Sequence, residues 1–329
     1  LLKVNEKEII FTSGGTESNN LALFGGAEAN KRMGNHIITT AVEHAAVGQP
    51  VERLEQMGYE VTIVPVDERG VVRLDALEKA LREDTILVST MYVNNEVGAV
   101  EPVEEISKVI KTKNPSTLYH VDAIQAYGKY VIRPKKQGID LLSVSGHKIH
   151  GPKGVGFLYI RSGVKIKPRI YGGGQQAGLR SGTENVPGAA GLGVAAKEMY
   201  TDHAAKIQKL TELKDYMTDR LGEIEGTVVN SKKGADSAPQ IVSVSFEGVR
   251  SEVLLHALED KNIYVSSGSA CSSNHPGISG TLKGIGVAQK LLDSTIRISF
   301  GIFNTKEEID YTIDVLKELV PVLRRYQRG

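Results

Sequence analysis

The sequence has a single cysteine, no tryptophan and no long run of apolar residues. One cysteine cannot close a disulfide within the chain, so we expect a cytoplasmic protein rather than a secreted, disulfide-rich one. No apolar run approaches the roughly 18 residues of a membrane-spanning helix. The charges balance as well, with 40 Lys and Arg against 39 Asp and Glu. We therefore expect neither a membrane nor a nucleic acid as a direct partner.

The residues that are present predict an alternation of strands and helices through most of the first 190 residues. Strands are expected at residues 8–12, 36–40, 59–64, 85–92, 117–121 and 141–144, and helices at residues 18–27, 49–57, 74–82 and 103–111. The strands are nearly continuous apolar runs. This pattern predicts an α/β fold with a mainly parallel sheet that is covered by helices on both faces.

The pattern changes near residue 200, which predicts a second, smaller α+β domain. Residues 200–221 carry apolar side chains at helical spacing, and residues 241–246 alternate as a half-buried strand would. Thr305-Lys-Glu-Glu308 has the form of a capping box that opens a last helix. With 329 residues the chain is long enough for two domains, which we place at residues 1–202 and 203–329.

A lysine follows the last apolar strand of the first domain. Lys148 comes just after Gly146, where that strand ends, and stands between His147 and His150. Active sites of open α/β sheets lie at the carboxyl ends of strands, and a lysine held there is a candidate for a Schiff base with an aldehyde. The alternative is a solvated lysine in a glycine-rich loop.

Four other segments also follow predicted strands. Residues 11–19 turn on paired glycines into a helix, which suits a phosphate, and Asp122 would need a partner such as a protonated ring nitrogen. His44 could stack on a planar cofactor or move protons, and residues 94–98 follow another strand. Each has an ordinary alternative. Residues 11–19 could be a plain strand-to-helix connection, Asp122 a helix N-cap, His44 a structural histidine, and residues 94–98 an ordinary turn. Together with the lysine they indicate pyridoxal phosphate.

The single cysteine, Cys271, lies in a polar, glycine-punctuated segment over residues 266–280. Such segments are exposed, and access and thiolate fraction determine how reactive a thiol is. The segment therefore favours a nucleophile, whereas the alternative is a buried small apolar side chain.

The motifs occur in a recognisable order across nearly the whole chain. They are Ser13-Gly-Gly-Thr-Glu-Ser-Asn-Asn20, Glu43-His44, Asn95-Glu96-Val-Gly98, His120-Val-Asp-Ala-Ile-Gln125, Ser145-Gly-His-Lys148, Arg180-Ser-Gly-Thr183, Gly268-Ser-Ala-Cys271 and Ile296-Arg-Ile-Ser299. In these motifs the chain resembles the cysteine desulfurases of the NifS/IscS type, which are class V aminotransferase-like, fold-type I pyridoxal phosphate enzymes. The resemblance implies a seven-stranded sheet in the large domain. It also implies an N-terminal segment, lining the substrate pocket, that this sequence does not contain.

The resemblance also implies a role for each matched residue. Lys148 would bind the cofactor aldehyde as a Schiff base, Asp122 would pair with the ring nitrogen, and Gln125 would donate to the ring hydroxyl. His44 would stack on the ring, and Asn95 would lie beside cofactor and substrate. The phosphate would be held by Gly15, Thr16, Ser145, His147 and, from the other subunit of a homodimer, Thr183.

The implied reaction converts L-cysteine to L-alanine. Arg297 would bind the substrate carboxylate, His44 would assist proton transfer, and Cys271 would receive the sulfur as a persulfide. An acceptor protein for iron–sulfur cluster assembly, or for tRNA or cofactor thiolation, would then take the sulfur. No metal site is expected, and Cys271 could ligate an iron–sulfur cluster only together with a partner. The alternatives are a selenocysteine lyase, a related class V aminotransferase, or an inactive assembly scaffold.

Overall fold

The computed structural model describes residues 1–267 and 279–326, which form two compact units. The first unit comprises Leu1–Val66, Val71–Val93 and Glu101–Asp202. The second comprises Asp67–Gly70, Asn94–Val100 and the described part of His203–Gly329. Two short segments from the first third of the chain therefore belong with the C-terminal unit. None of the described helices is long and apolar enough to cross a membrane.

The first unit contains a seven-stranded sheet in the order β1-β7-β6-β5-β4-β2-β3. Its strands are β1 (Ile9–Thr12), β2 (His36–Thr40), β3 (Glu60–Val64), β4 (Thr85–Met91), β5 (Leu118–Asp122), β6 (Leu141–Ser145) and β7 (Gly156–Ile160). The pairs among β2 to β6 are parallel, and β7 is antiparallel to both β1 and β6. The mainly parallel sheet is confirmed. β7 was not predicted, because it follows β6 through a loop rather than through a helix.

Five helices accompany this sheet: α1 (Gly15–Asn30), α2 (Ala45–Gln56), α3 (Leu74–Ala80), α4 (Val103–Lys113) and α5 (Val186–Tyr200). α1 contacts β4 to β7 and buries Leu21 and Leu23 completely or nearly so. Burying a leucine side chain stabilises the fold by about 1.5–3 kcal/mol, so α1 is firmly attached to the sheet. The first turn of α1 is therefore fixed relative to the strand ends.

The second unit contains a four-stranded antiparallel sheet in the order β10-β11-β9-β8. Its elements are β8 (Thr227–Val229), β9 (Ile241–Phe246), β10 (Ser266–Ser267), β11 (Thr295–Ser299), α6 (His203–Leu221), α7 (Ser251–Glu259), α8 (Gly280–Gly284) and α9 (Lys306–Tyr326). The capping box of α9 is confirmed, because the Thr305 N–H donates to Glu308 Oε2 (3.1 Å) and the Glu308 N–H donates to Thr305 Oγ1 (3.4 Å).

One expectation for this region was wrong. All six residues of β9 are buried, so the strand is not half-buried. Its serines are satisfied inside the unit: Asn230 Nδ2 donates to Ser245 Oγ (3.0 Å), which also bonds Thr295 Oγ1 (2.7 Å). The helix expected over residues 200–221 is confirmed as α6, which begins three residues later because Thr201 is extended and Asp202 has a left-handed φ of 49°.

Candidate active site

Lys148 lies in the loop that connects two antiparallel strands, β6 and β7. Directly after β6, residues Gly146–Ile149 form one 3-10 turn, which ends at His150 in the left-handed conformation (φ 63°). The Gly146 N–H donates to Val155 O (2.9 Å) and closes the base of the loop. Lys148 itself is half-buried. The predicted position of this lysine, just past the carboxyl end of a buried strand, is therefore correct.

A glycine turn lies against the start of this loop. At Gly14 (φ 150°) an added Cβ would lie 3.6 Å from Ser145 Oγ, and at Gly15 it would lie 2.1 Å from Ile124 Cδ1. A side chain at position 15 would displace Ile124, so glycine here lets the first turn of α1 lie close to Ser145. Ser145 Oγ in turn bonds His147 Nδ1 at 2.8 Å.

This arrangement suits an anion. The first turn of a sixteen-residue helix presents N–H groups and the positive end of the helix dipole, and Thr16 lies exposed in that turn. Partial burial, followed by the nearby charges of Lys148 and Lys153, lowers the pKa of His147. His147 is thus a neutral imidazole at pH 7, able to bond Ser145 with one nitrogen and a ligand with the other.

Asp122 is the last residue of β5 and is buried. Its Oδ1 accepts from the Ile124 N–H (3.0 Å), and its Oδ2 accepts from Asn19 Nδ2 (2.8 Å). Burial raises the pKa of Asp122, while these two hydrogen bonds and the nearby His44 oppose that increase. The carboxyl group caps a turn rather than a helix, so the helix N-cap alternative does not apply.

Asn19 was not predicted as a site residue. It is fully buried in α1, and its Oδ1 has no hydrogen-bond partner among residues 1–267 and 279–326. A buried amide oxygen without a partner costs free energy, which is typical of a group whose partner is a ligand. The only sequence signal was a pair of asparagines inside a helix, where such residues are unfavourable.

His44 caps a helix and also lies near Asp122. It is the N-cap of α2, where its Nδ1 accepts from the Ala46 N–H at 3.0 Å. It is also half-buried and near enough to Asp122 to lower the pKa of that carboxyl group. Because Nδ1 is an acceptor in this bond, a neutral His44 carries its proton on Nε2.

Glu43 is a second residue for which the sequence predicted no role. Its Oε1 accepts from Thr40 Oγ1 (2.6 Å) and the Met91 N–H (3.0 Å), whereas its Oε2 is buried with no hydrogen-bond partner in the described part of the chain. Burial, with the negative charges of Asp122 and Glu101, raises the pKa of Glu43 to about 8. Glu43 is therefore a neutral acid at pH 7.

Glu43 should make the stability of the cofactor-free protein depend on pH. Since its pKa rises from 4.5 to about 8 on folding, the folded state binds one more proton than the unfolded state within that window. Stability therefore falls as pH rises from 4.5 to about 8, by up to about 1.4 kcal/mol per unit. We expect Glu43→Gln to remove this slope, which amounts to about 2–3 kcal/mol between pH 5.5 and 7.5.

Urea unfolding at three pH values measures this effect. The exposed Glu55 provides the matched control, because Glu55→Gln changes the same group without removing a buried carboxyl. Parallel stability curves for wild type and Glu43→Gln would show that Glu43 is ionised in the folded state.

Two further residues of the first unit were predicted from the resemblance. Gln125 is half-buried in the turn three residues after Asp122. Thr183 is exposed in the loop before α5, next to Gly182, whose N–H donates to Gln175 Oε1 (3.0 Å). The assignment of Thr183 to a neighbouring subunit's site stays a prediction.

The second unit contains Asn95 and Arg297. Arg297 lies in β11 and donates from Nη1 to Asn95 O (2.9 Å) and from Nη2 to Ser266 Oγ (3.0 Å). Within the described residues it has no carboxylate partner, and its Nε is buried without an acceptor. The guanidinium is thus oriented by neutral oxygens and keeps its positive charge for a ligand.

The segment around Asn95 is also an ordinary turn in its local geometry. The N–H groups of Glu96 and Val97 both donate to Asn94 Oδ1 at 2.9 Å. Cys271 lies outside the described residues. No cluster of His, Cys, Asp or Glu that could hold a metal ion occurs in the part of the chain that the structure describes.

Comparison with known proteins shows the family of the chain. The family model for aminotransferase class-V matches residues 1–312, and the chain belongs to that family. It is 45% identical to the cysteine desulfurase IscS of Dictyoglomus turgidum over 96% of this chain and 80% of the relative. It is 44% identical to the IscS of Methanosarcina thermophila over 98% of this chain and 79% of the relative.

A solved structure titled NifS-like protein has a TM-score of 0.92 and 41% identity, covering 98% of this chain and 85% of that one. The expected resemblance to the NifS/IscS type and the expected fold class are both confirmed.

Proposed function

We propose that the protein is a cysteine desulfurase that uses pyridoxal 5′-phosphate to convert L-cysteine to L-alanine. The observation that carries the proposal is the 45% identity to a cysteine desulfurase IscS over 96% of the chain. The geometry of the first unit supports it, since the glycine turn, Asp122 and Lys148 lie at the carboxyl ends of β1, β5 and β6, and the glycine turn lies against Ser145 at the end of β6. In this proposal residues 1–202 form the cofactor-binding domain, and residues 203–329 form the smaller domain that carries the cysteine segment.

The residues of the first unit fit pyridoxal phosphate. The glycine turn, Thr16, Ser145 and neutral His147 suit its phosphate, the amine of Lys148 suits its aldehyde, and Asp122 suits its ring nitrogen. Gln125 would donate to the ring hydroxyl, His44 would cover the ring face, and Thr183 of a second subunit would complete the phosphate site. When bound, the cofactor supplies an electron sink that stabilises negative charge at the substrate Cα.

Asp122 and Asn19 act as one unit in this proposal. Burial raises the pKa of the Asp122 carboxyl, whereas a positive charge on the opposing nitrogen favours the ionised form. Asn19 Nδ2 holds Oδ2 in place, so the charge of the carboxylate stays directed at one position. The role of the Asp122 carboxylate is to keep the ring nitrogen protonated.

Proton transfer is assigned to Lys148 and His44. The Lys148 amine takes the proton from the substrate Cα and, later in the cycle, returns one to a carbon that has become electron-rich. His44 carries its neutral-form proton on Nε2, since Nδ1 is held by the Ala46 N–H, so Nε2 is the atom that exchanges protons. The substrate carboxylate is bound by Arg297, and Asn95 lies next to that arginine.

Sulfur transfer is assigned to Cys271. Its thiolate attacks the substrate sulfur, so a sulfur–sulfur bond forms while the carbon–sulfur bond breaks. The electron pair of the broken bond stays on carbon, which is protonated to give L-alanine. The persulfide on Cys271 then passes to an acceptor protein of iron–sulfur cluster assembly or of tRNA or cofactor thiolation. We propose a cytoplasmic homodimer without a metal of its own.

The proposal is tested by incubating purified, cofactor-loaded protein with L-cysteine and quantifying alanine and sulfide, with and without dithiothreitol. We expect equal alanine and sulfide with the reductant. Without it, alanine should stop near one equivalent per subunit, because the persulfide is not cleared. L-Selenocysteine and a keto-acid amino acceptor are the comparison substrates. Turnover of selenocysteine alone would identify a lyase, amino transfer would identify an aminotransferase, and no turnover of any substrate would identify a scaffold.

A further inference from the structure

A second lysine lies directly behind the lysine of the active site. Lys129 belongs to the turn that follows β5, and its side chain is only 7% exposed. Its Nζ donates to the carbonyl oxygen of Lys148 at 2.5 Å. That carbonyl belongs to the short 3-10 turn Gly146–Ile149, whose last carbonyl groups lack partners within the turn. A cation here neutralises the negative end of the turn.

The position of Lys129 is fixed by its own turn. The Lys129 N–H and the Tyr130 N–H both bond Ala126 O, at 2.9 and 3.0 Å. Tyr200 Oη closes the same turn, because it accepts from the Gly128 N–H (3.1 Å) and donates to Tyr130 O (2.9 Å). An added Cβ at Gly128 would come within 2.6 Å of Ile149 Cγ2, so the two turns are in direct contact.

The charge surroundings of Lys129 are unusual for a buried lysine. No ion pair in residues 1–267 or 279–326 includes it. Burial, and secondarily the positive charge of Lys148, lower the pKa of Lys129 to about 8. The positive charge of Lys129 also lowers the pKa of His150, and the charges of Lys148 and Lys153 lower the pKa of His147. Lys129 and Lys148 therefore lie among other basic side chains.

An unpaired cation is costly to bury, and a purely structural donor to one carbonyl would not require a charge. We propose that Lys129 is a positioning residue for Lys148. It holds the main chain from which the Lys148 side chain extends, and its positive charge lowers the proton affinity of the Lys148 amine. This inference rests on the proposed function only in taking Lys148 as the reacting amine. A neutral amine is the form that attacks an aldehyde or takes a proton, so the effect favours the reactive state at pH 7.

The test uses cofactor-free protein, so that it does not depend on desulfurase activity. Reductive methylation with formaldehyde and cyanoborohydride is followed at Lys148 by peptide mass spectrometry at pH 6 to 7.5, below the pKa of about 8 at which Lys129 loses its charge. We expect Lys129→Met to lower the rate of Lys148 modification about tenfold at pH 7, because a charged neighbour that lowers the proton affinity by about one unit leaves about ten times more neutral amine. Lys129→Arg should stay close to wild type, since it keeps the charge. Lys153→Met, at an exposed lysine of the same loop, should change the rate by less than about twofold.

A second variant distinguishes the effect of losing the charge from the effect of disturbing the fold. Lys129→Gln keeps a hydrogen-bond donor but removes the charge, so it replaces Lys129→Met as the test if the latter does not fold by circular dichroism. A folded neutral variant in which Lys148 is modified at the wild-type rate at pH 7 would overturn the proposal. In the cofactor-loaded protein the pH midpoint of the visible absorption band should rise. Loss of desulfurase activity alone, without either change, would also count against the positioning role.

Discussion

Lys148→Ala will lower the rate of alanine formation from L-cysteine by at least about a thousandfold, because it removes the amine that moves the Cα proton. The structure places this lysine just past the end of β6, on a turn held between two paired strands. Borohydride reduction of the cofactor-loaded wild type should attach the cofactor to Lys148 and to no other lysine, and the variant should not be labelled.

Two nearby lysines could be labelled in place of Lys148, so the experiment distinguishes between three positions. Lys153 lies in the same loop, and the buried Lys129 touches the Lys148 carbonyl. Lys153→Ala is the matched control and should retain wild-type turnover. Labelling of Lys153 or Lys129 in the wild type would refute the assignment of Lys148 and, with it, the site as described.

Cys271→Ser will abolish persulfide formation while leaving cofactor binding intact. The chain has no other cysteine, so no second thiol can replace the one that is lost. We expect alanine and sulfide formation to fall to less than about one hundredth of the wild-type rate, since the step removed is a covalent transfer. The visible spectrum of the bound cofactor, and its change on adding L-cysteine, should remain as in wild type.

Selenocysteine offers a useful comparison for this variant. The carbon–selenium bond is weaker than the carbon–sulfur bond, so selenium elimination should depend less on the thiol. Sulfide release from cysteine by Cys271→Ser at a rate near wild type would contradict the nucleophile assignment and favour the lyase alternative.

The residues at strand ends were predictable because one rule covers them. In a parallel sheet the carboxyl ends of strands share an edge, so Asp122 after β5 and Lys148 after β6 had to lie close together once both strands were recognised. Gly15 was predictable for a related reason, since paired glycines between a strand and a helix indicate close approach of main chains.

Other features depended on tertiary contacts that no local pattern shows. Asn19 and Lys129 are polar residues of types that are mostly exposed, and only the packed structure shows them buried beside Asp122 and Lys148. The break between α5 and α6 depends on an extended Thr201 and a left-handed Asp202 within an otherwise helical pattern. The serines of β9 alternate with apolar residues, as the residues of an exposed strand face would, yet they are buried. Alternation in the sequence shows which face of a strand is polar, and it does not show whether another element covers that face.

The antiparallel strand β7 has a consequence for how the reactive amine can move. Ser145 pairs with Gly156 across the base of the loop, so both ends of the Lys148 loop are anchored in the same ladder. The backbone cannot swing away without breaking that ladder, and the travel of the amine is limited to rotation about the four-carbon side chain. Amine departure and return are therefore rotamer changes of one side chain, which do not require the loop to open. The slow motions of a catalytic cycle would then have to arise elsewhere in the chain.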